Sequence, residues 1–196
     1  MFKEKISKFV SSARRVQMAQ AVASKKQRGY SMIEIAIGTV IVGLLLAVTI
    51  SYVRGIIADN RANDELKEIP LVMSKLTKMY SNRPNFNGVS TAIAAQNNVY
   101  PPERINTGGA TLNNRFGGAI TIAAGTTLQA DDSVVLSYTG VGASECKTMI
   151  PQLEKSMTRI MVGASEIMPV GGTVNFGTLG TACVDNVTIQ YQFKKS

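Results

Sequence analysis

The sequence contains no histidine among its 196 residues. The usual general base and the commonest metal ligand of proteins are therefore both absent. Two cysteines, Cys146 and Cys183, are too few to form a thiolate metal site by themselves. A serine nucleophile would need a lysine or a main-chain amine as its base. These absences argue against an enzyme, and we expect neither a cofactor nor a bound metal.

Acidic residues are scarce at the N-terminus, where most of the net charge of +8 is concentrated. Eight of the 21 basic residues and only one of the 13 acids lie in residues 1–29, so the rest of the chain has a net charge of +1. A nucleic-acid-binding domain carries a basic patch or stripe on its folded part. We therefore expect no nucleic-acid partner.

A long uncharged run follows the basic residues. From Tyr30 to Val53 the sequence holds a single charged residue, Glu34. As a helix this segment would extend roughly 36 Å, enough to cross the core of a bilayer with some tilt. The basic flank predicts that residues 1–29 stay in the cytoplasm and that residues 54–196 are exported. An exported domain with two cysteines has the right number for one disulfide bond.

The acid inside the apolar run has two explanations. A carboxylate in a membrane helix costs a few kcal/mol near the bilayer centre and less near an end. Glu34 is the fifth residue of the run, so it could simply reach the cytoplasmic interface. Alternatively, it has a partner that appears only when subunits associate.

The residues around Glu34 form a recognisable motif. Gly29-Tyr30-Ser31-Met32-Ile33-Glu34 is preceded by lysine and arginine and followed by the apolar run. It resembles the class III signal of type IV prepilins and related pseudopilins. The resemblance implies cleavage after Gly29 by a membrane prepilin peptidase, N-methylation of the new terminus Tyr30, and a role for Glu34 in assembly. It also implies a helical homopolymer of this chain, built by machinery in the inner membrane and displayed as an extracellular pilus.

The leader length and the tyrosine at the new N-terminus are similar to the type IVb branch of this family, which includes colonisation pili and thin pili of conjugative plasmids. The expected function is that of a major pilin in adhesion, aggregation or conjugative mating, in contact with an unknown host or recipient-cell surface. A minor pilin or a type II secretion pseudopilin would share the signal. The alternative of another class is a signal-anchored receptor or enzyme that never polymerises.

The helical pattern continues beyond the apolar run, to about Met79. Apolar residues recur there at spacings of three and four, while charged residues are expected mainly on the other faces. Pro70 falls inside this pattern and is expected to bend the helix rather than end it. The apolar positions are Leu66, Ile69, Met73, Leu76 and Tyr80, and the charged ones include Asp64, Glu65, Lys67 and Glu68.

The predicted fold class is α+β, in which the long N-terminal helix packs on an antiparallel sheet, as the resemblance to type IV pilins implies. The predicted domains are a cleaved leader (1–29), a transmembrane and polymerisation helix (30–53), an amphipathic half-helix (54–82) and a globular head (83–196). Alternating apolar residues predict strands. These strands are Ala119–Ala123, Ser133–Tyr138, Thr173–Phe176 and Asn186–Phe193.

Two shorter helices are predicted in the head. One lies near Val89 to Gln96, and the other runs from Ser144 to about Met161, with Ser144 as its cap and Pro151 delaying its start. Asn114-Arg115-Phe116-Gly117-Gly118 is similar to the Pro-Phe/Trp-Gly-Gly element of many type IVb pilins, with Arg115 in place of the proline. By the same resemblance, a Cys146–Cys183 disulfide bounds the C-terminal region.

Overall fold

The computed structural model describes residues 31–106, 108 and 110–195. The predicted cleavage site between Gly29 and Tyr30, and the predicted leader, lie outside these residues. The chain divides after Val48 into two units, which are described separately here. One helix, α1 (Met32–Met79), begins in the first unit and continues into the second, and this confirms the predicted long helix over the described residues.

In the first unit, α1 is apolar and exposed. The helix starts where the Ser31 carbonyl oxygen accepts hydrogen bonds from the backbone N–H groups of Glu34 (2.8 Å) and Ile35 (3.2 Å). An 18-residue stretch of the helix has a mean hydropathy of 2.5, and none of its residues is buried. In water such a surface would be strongly unfavourable, because each exposed apolar side chain forgoes the gain from burial. By length and composition the segment can cross a membrane.

In the second unit, α1 packs one face against the head and passes through Pro70 without ending. Ile69, Leu76 and Tyr80 are fully or almost fully buried, as their spacing predicts, and Leu66 and Met73 are partly buried against the same core. The face is completed by Ala62 and Val72. The helix therefore supplies one wall of the hydrophobic core.

The prediction that the acids of α1 lie on its other faces is wrong for two of them. Glu65 and Glu68 are buried on the face that packs against the head. Arginines from elsewhere in the head meet them there, and a paired buried carboxylate is tolerated where an unpaired one is not.

In the described part of the chain, six antiparallel strands form one sheet in the order β1-β2-β3-β6-β4-β5. The strands predicted near residues 119–123, 133–138 and 186–193 are confirmed as β2, β3 and β6, whereas β1, β4 and β5 were not predicted. The six strands are β1 (Leu112–Asn113), β2 (Ala119–Gly125), β3 (Ser133–Val141), β4 (Arg159–Val162), β5 (Ser165–Met168) and β6 (Val187–Lys194).

The last strand is central to the sheet because it pairs with β3 on one side and β4 on the other. Its apolar residues alternate and are buried, including Ile189, Tyr191 and Phe193. The aromatic rings extend the core toward the end of α1, where Phe86 lies 6.2 Å from Phe193 and 5.6 Å from Tyr80 between ring centroids. The C-terminal residues thereby close the head against the helix.

Two predictions for the C-terminal region are wrong. The predicted helix Ser144–Met161 is α3 (Ala143–Leu153), followed by a 3₁₀ turn (Glu154–Ser156) and then by β4. Its last apolar residues follow the two-residue period of a strand, since Ile160 and Val162 are buried. Pro151 does not delay the start of the helix. Residues 173–175 form a loop rather than a strand, and α4 (Phe176–Ala182) begins there.

A side-chain cap at the start of α4 explains why a helix forms here, where a strand was predicted. The Asn175 side-chain oxygen accepts hydrogen bonds from the N–H groups of Gly177 (3.0 Å) and Thr178 (3.1 Å). An asparagine in this position is a strong helix start signal. The alternation of valine and phenylalanine around it favoured the strand in the sequence alone.

The segment between α1 and β2, residues 83–118, is called the connecting segment below. It contains the predicted short helix as α2 (Thr91–Gln96), capped by the Ser90 hydroxyl, which accepts from the Ile93 N–H at 3.3 Å. A 3₁₀ turn (Pro102–Arg104) and β1 follow. Lys75 of α1 binds this segment by donating to the carbonyl oxygens of Asn98 and Val99 at 3.0 and 3.1 Å.

Candidate functional site

Glu34 lies in the first turn of α1 with its side chain exposed. A carboxylate in the first turn is favourable for the helix because it complements the partial positive charge of the N-terminus. No side chain among the described residues forms an ion pair with it. Among the described residues, this acid therefore has apolar neighbours and an exposed side chain.

A second group of charges is built into the head. Arg104 lies in the 3₁₀ turn of the connecting segment, and its Nη2 is 2.7 Å from both Glu65 Oε2 and Glu68 Oε2. Arg115, in the turn between β1 and β2, contacts Glu68 at 3.2 Å and Glu65 at 3.8 Å. It also reaches Asp64 at 3.9 Å on the exposed rim. These five residues are called the ionic cluster.

The interior of the ionic cluster is buried, and its hydrogen bonding is incomplete within the described residues. The Glu65 side chain is 0% exposed. Burial raises the pKa of its carboxyl above the usual value, against the attraction of Arg104 and the hydrogen bond that it donates. Glu65 Oε1, Glu68 Oε1 and Arg104 Nε have no hydrogen-bond partner among the described residues. Such buried polar atoms carry a desolvation cost that no hydrogen bond offsets.

Three buried tyrosines line the core near Glu65. The hydroxyls of Tyr100 and Tyr138 share a hydrogen bond of 2.9 Å, and the ring of Tyr138 meets that of Tyr191 edge-on at 5.9 Å. Burial raises the pKa of all three phenols, and the negative charge of Glu65 adds to the effect. The Tyr191 hydroxyl has no partner in the described part of the chain.

The turn that carries Arg115 is fixed by Asn114. The Asn114 side-chain oxygen accepts from the N–H groups of Phe116 and Gly118, both at 2.9 Å, and its amide donates to the Thr139 carbonyl at 2.6 Å. A Cβ on Gly118 would lie 2.0 Å from that carbonyl oxygen, so only glycine fits. The turn therefore directs the Arg115 side chain toward α1 rather than into solvent.

The C-terminal region is bounded by a disulfide between Cys146, on α3, and Cys183, directly after α4. Both cysteines are buried. The Ala143 N–H at the start of α3 donates to Asp185 at 3.0 Å, so the two ends of the region are joined by a second, polar contact. The bridge agrees with the pairing that the sequence resemblance implied.

Comparison with known proteins decides the family. A sequence model of the PilS family, described as PilS N terminal, matches residues 59–193. The chain belongs to the PilS family of type IV pilins. A search of curated protein sequences found no match to this PilS-family chain.

A solved structure agrees on the fold. A type IVb pilin from Salmonella typhi has a TM-score of 0.55 and 14% identity, and the alignment covers 68% of this PilS-family chain and 99% of that pilin. TcpA, a type IV pilin from Vibrio cholerae El Tor biotype, aligns with a TM-score of 0.47 and 14% identity over 68% of this chain and 98% of TcpA. The alignment with the Salmonella typhi pilin confirms the predicted α+β fold of a type IV pilin.

The ionic cluster was not found from the sequence. A signal for it exists, because Ala62, Glu65, Ile69, Val72 and Leu76 step by three and four residues and so lie on one helix face. This face places Glu65 in line with the core positions. The sequence alone does not identify the partner, since Arg104 is 39 residues further along the chain.

Proposed function

We propose that this chain is the major subunit of a type IVb pilus. The prepilin peptidase removes residues 1–29, Tyr30 is N-methylated, and the inner-membrane assembly machinery adds the subunit to a homopolymer through α1. The observation that carries the proposal is the exposed apolar half of α1, with Glu34 as its one charge, in a chain of the PilS family.

The exposed apolar surface has two uses at different stages. Before assembly, it is covered by the lipid of the inner membrane, where a helix of this length satisfies its own backbone hydrogen bonds. After assembly, the same surface is covered by the helices of neighbouring copies. The head then faces outward in an extracellular pilus and contacts a host or recipient-cell surface during adhesion, aggregation or mating.

Glu34 controls the register of addition. Cleavage creates an α-amine at Tyr30, which can pair with Glu34 of a neighbouring copy when the helices are staggered. Leaving a carboxylate unpaired in an apolar bundle costs several kcal/mol, whereas pairing it removes most of that cost. A subunit that docks in the wrong register would leave two charges unpaired.

The experiment compares Glu34→Ala with Asp59→Ala in cells that express the chain together with its assembly system. Asp59 is another exposed acid on α1, outside the apolar half, and serves as the matched control. We expect Glu34→Ala to reduce sheared filaments at least tenfold while the subunit accumulates in the membrane. We expect Asp59→Ala to leave the yield of filaments unchanged.

Three results would contradict the proposal. Normal filaments from Glu34→Ala would remove the register role of this acid. A wild-type chain that is never cleaved and stays in the membrane would make it a signal-anchored protein. Cleaved subunits that occur only as a trace of the filament mass would instead identify a minor pilin.

A further inference from the structure

The ionic cluster holds parts of the head together at a cost in desolvation free energy. Glu65, Glu68 and Arg104 are buried, and each retains an unpartnered polar atom within the described residues. Removing charges from water carries a penalty that the attraction between them often fails to exceed. Well-packed apolar side chains of similar volume would be as stable or more stable at such a place. Stability alone does not account for the cluster.

The geometry of the cluster has a different consequence. Three acids occupy one turn of α1, and two guanidinium groups come to them from separate parts of the connecting segment. Arg104 also donates to the carbonyl oxygen of Asn113 in β1 at 3.3 Å. A guanidinium has a planar, fixed set of donors, so it accepts a carboxylate only in a narrow range of positions.

Apolar contacts do not restrict position in this way, because they are non-directional. If the connecting segment moved by one turn toward the C-terminus of α1, about 5.4 Å, Arg104 would face the positions four residues after Glu65 and Glu68. These positions are Ile69 and Val72, which are buried and apolar, so the guanidinium would be unpaired beside them. The cluster therefore favours the observed placement of the segment over one shifted in this direction.

We propose that the ionic cluster is a positioning device, in which Arg104 and Arg115 fix the connecting segment on α1 so that every copy presents the same surface during polymerisation. This inference rests on the proposed function. A homopolymer repeats one interface at every step, so a copy with a displaced segment is a poor partner for the next. The rim of the cluster reaches the surface of the head, since the side chains of Arg115 and Asp64 are 37% and 50% exposed.

The first test replaces the buried charges together. The variant Glu65→Leu/Glu68→Met/Arg104→Met keeps the side-chain volumes similar and leaves no buried charge unpaired. In the full chain we expect its melting temperature to stay within a few degrees of wild type. We expect its yield of sheared filaments to fall at least tenfold. Hydrogen exchange should increase at least tenfold in residues 102–113 and remain unchanged in β3 and β6.

The second test acts on the exposed rim, so it does not depend on the triple variant folding. Arg115→Gln removes one arginine of the cluster. Its matched control is Arg159→Gln, because Arg159 is also about one third exposed and forms an ion pair of 2.6 Å with Glu166 outside the cluster. We expect Arg115→Gln to lower the filament yield several-fold and Arg159→Gln to leave it unchanged.

Several outcomes would overturn the inference. Wild-type filament yields from the triple variant would show that the cluster does not position anything that assembly needs. A loss of more than about ten degrees in its melting temperature would make the cluster a stabilising element. Equal losses from the two single variants would show no special role for Arg115. If the wild-type chain forms no filaments, the proposed function fails, and unchanged exchange in residues 102–113 would then refute the positioning role by itself.

Discussion

Breaking the disulfide between Cys146 and Cys183 should destabilise the head by an amount that follows from the loop it closes. The two cysteines are 37 residues apart. For a loop of this length the chain-entropy estimate is about 4 kcal/mol. In a unit of this size, that loss corresponds to a decrease in melting temperature of roughly 12 °C. The loss arises in the unfolded state, which gains the freedom that the bridge removes.

The assay is thermal unfolding of the full chain in detergent, followed by tyrosine circular dichroism because the sequence has no tryptophan. Three samples separate the effects: oxidised wild type, reduced wild type, and Cys146→Ala/Cys183→Ala. The difference in melting temperature between oxidised and reduced wild type gives the effect of the bridge. The difference between reduced wild type and the double alanine variant gives the contribution of packing by the buried sulfur atoms. We expect the first difference to dominate. A decrease below about 1 kcal/mol on reduction would refute the chain-entropy reasoning.

Three further predictions concern single side chains of the head, all measured by thermal or denaturant unfolding. Tyr191→Phe should leave the free energy of unfolding unchanged or raise it by about 1 kcal/mol, because it removes an unpartnered buried hydroxyl. Tyr138→Phe should lower it by about 1 kcal/mol, because it breaks a hydrogen bond. Equal effects of the two variants would contradict this reasoning. Gly118→Ala should lower the free energy of unfolding by about 3 kcal/mol or prevent folding, because the new Cβ would meet a carbonyl oxygen. The control Gly180→Ala lies in a helix with open space around it and should raise the free energy of unfolding by up to about 1 kcal/mol. A harmless Gly118→Ala would refute the close approach. Asp132→Asn should flatten the decline of stability below about pH 4, and an unchanged decline would show that another acid is responsible.

The sign of the last prediction follows from the surroundings of Asp132. Burial works against its ionisation, but the Thr127 hydroxyl and the N–H groups of Leu128, Thr127 and Gln129 all donate to its carboxylate. They hold the pKa of the carboxyl well below its usual value. A lowered pKa in the folded state contributes stability above the unfolded pKa, and this contribution is lost as the pH falls through the folded pKa.

The elements whose apolar residues recur at a regular spacing were predictable from the sequence. The apolar run and the stripe beyond it specify α1, and the alternation over Val187, Ile189, Tyr191 and Phe193 specifies β6. Each of these depends on local spacing and on burial of one face. The motif around Gly29 and Glu34 was likewise visible, because all its parts lie within a few residues.

Some features that could not be predicted depend on contacts far along the chain. Glu65 was placed among the surface charges because its partner Arg104 comes from a loop 39 residues later. Residues 173–175 alternate like a strand, and only the capping of α4 by Asn175 shows that they precede a helix. The short strand β4 was hidden because Ile160 continued the apolar stripe predicted for α3. For Glu65 and β4, tertiary contacts outweigh the local pattern.

Mass spectrometry of the N-terminal peptide from filaments sheared off the cell surface tests the proposed processing and assembly together. If the chain is cleaved at one bond and then polymerises through α1, we expect an abundant subunit whose first residue is N-methylated Tyr30. Intact chains that begin at Met1 and remain confined to the membrane would contradict this expectation.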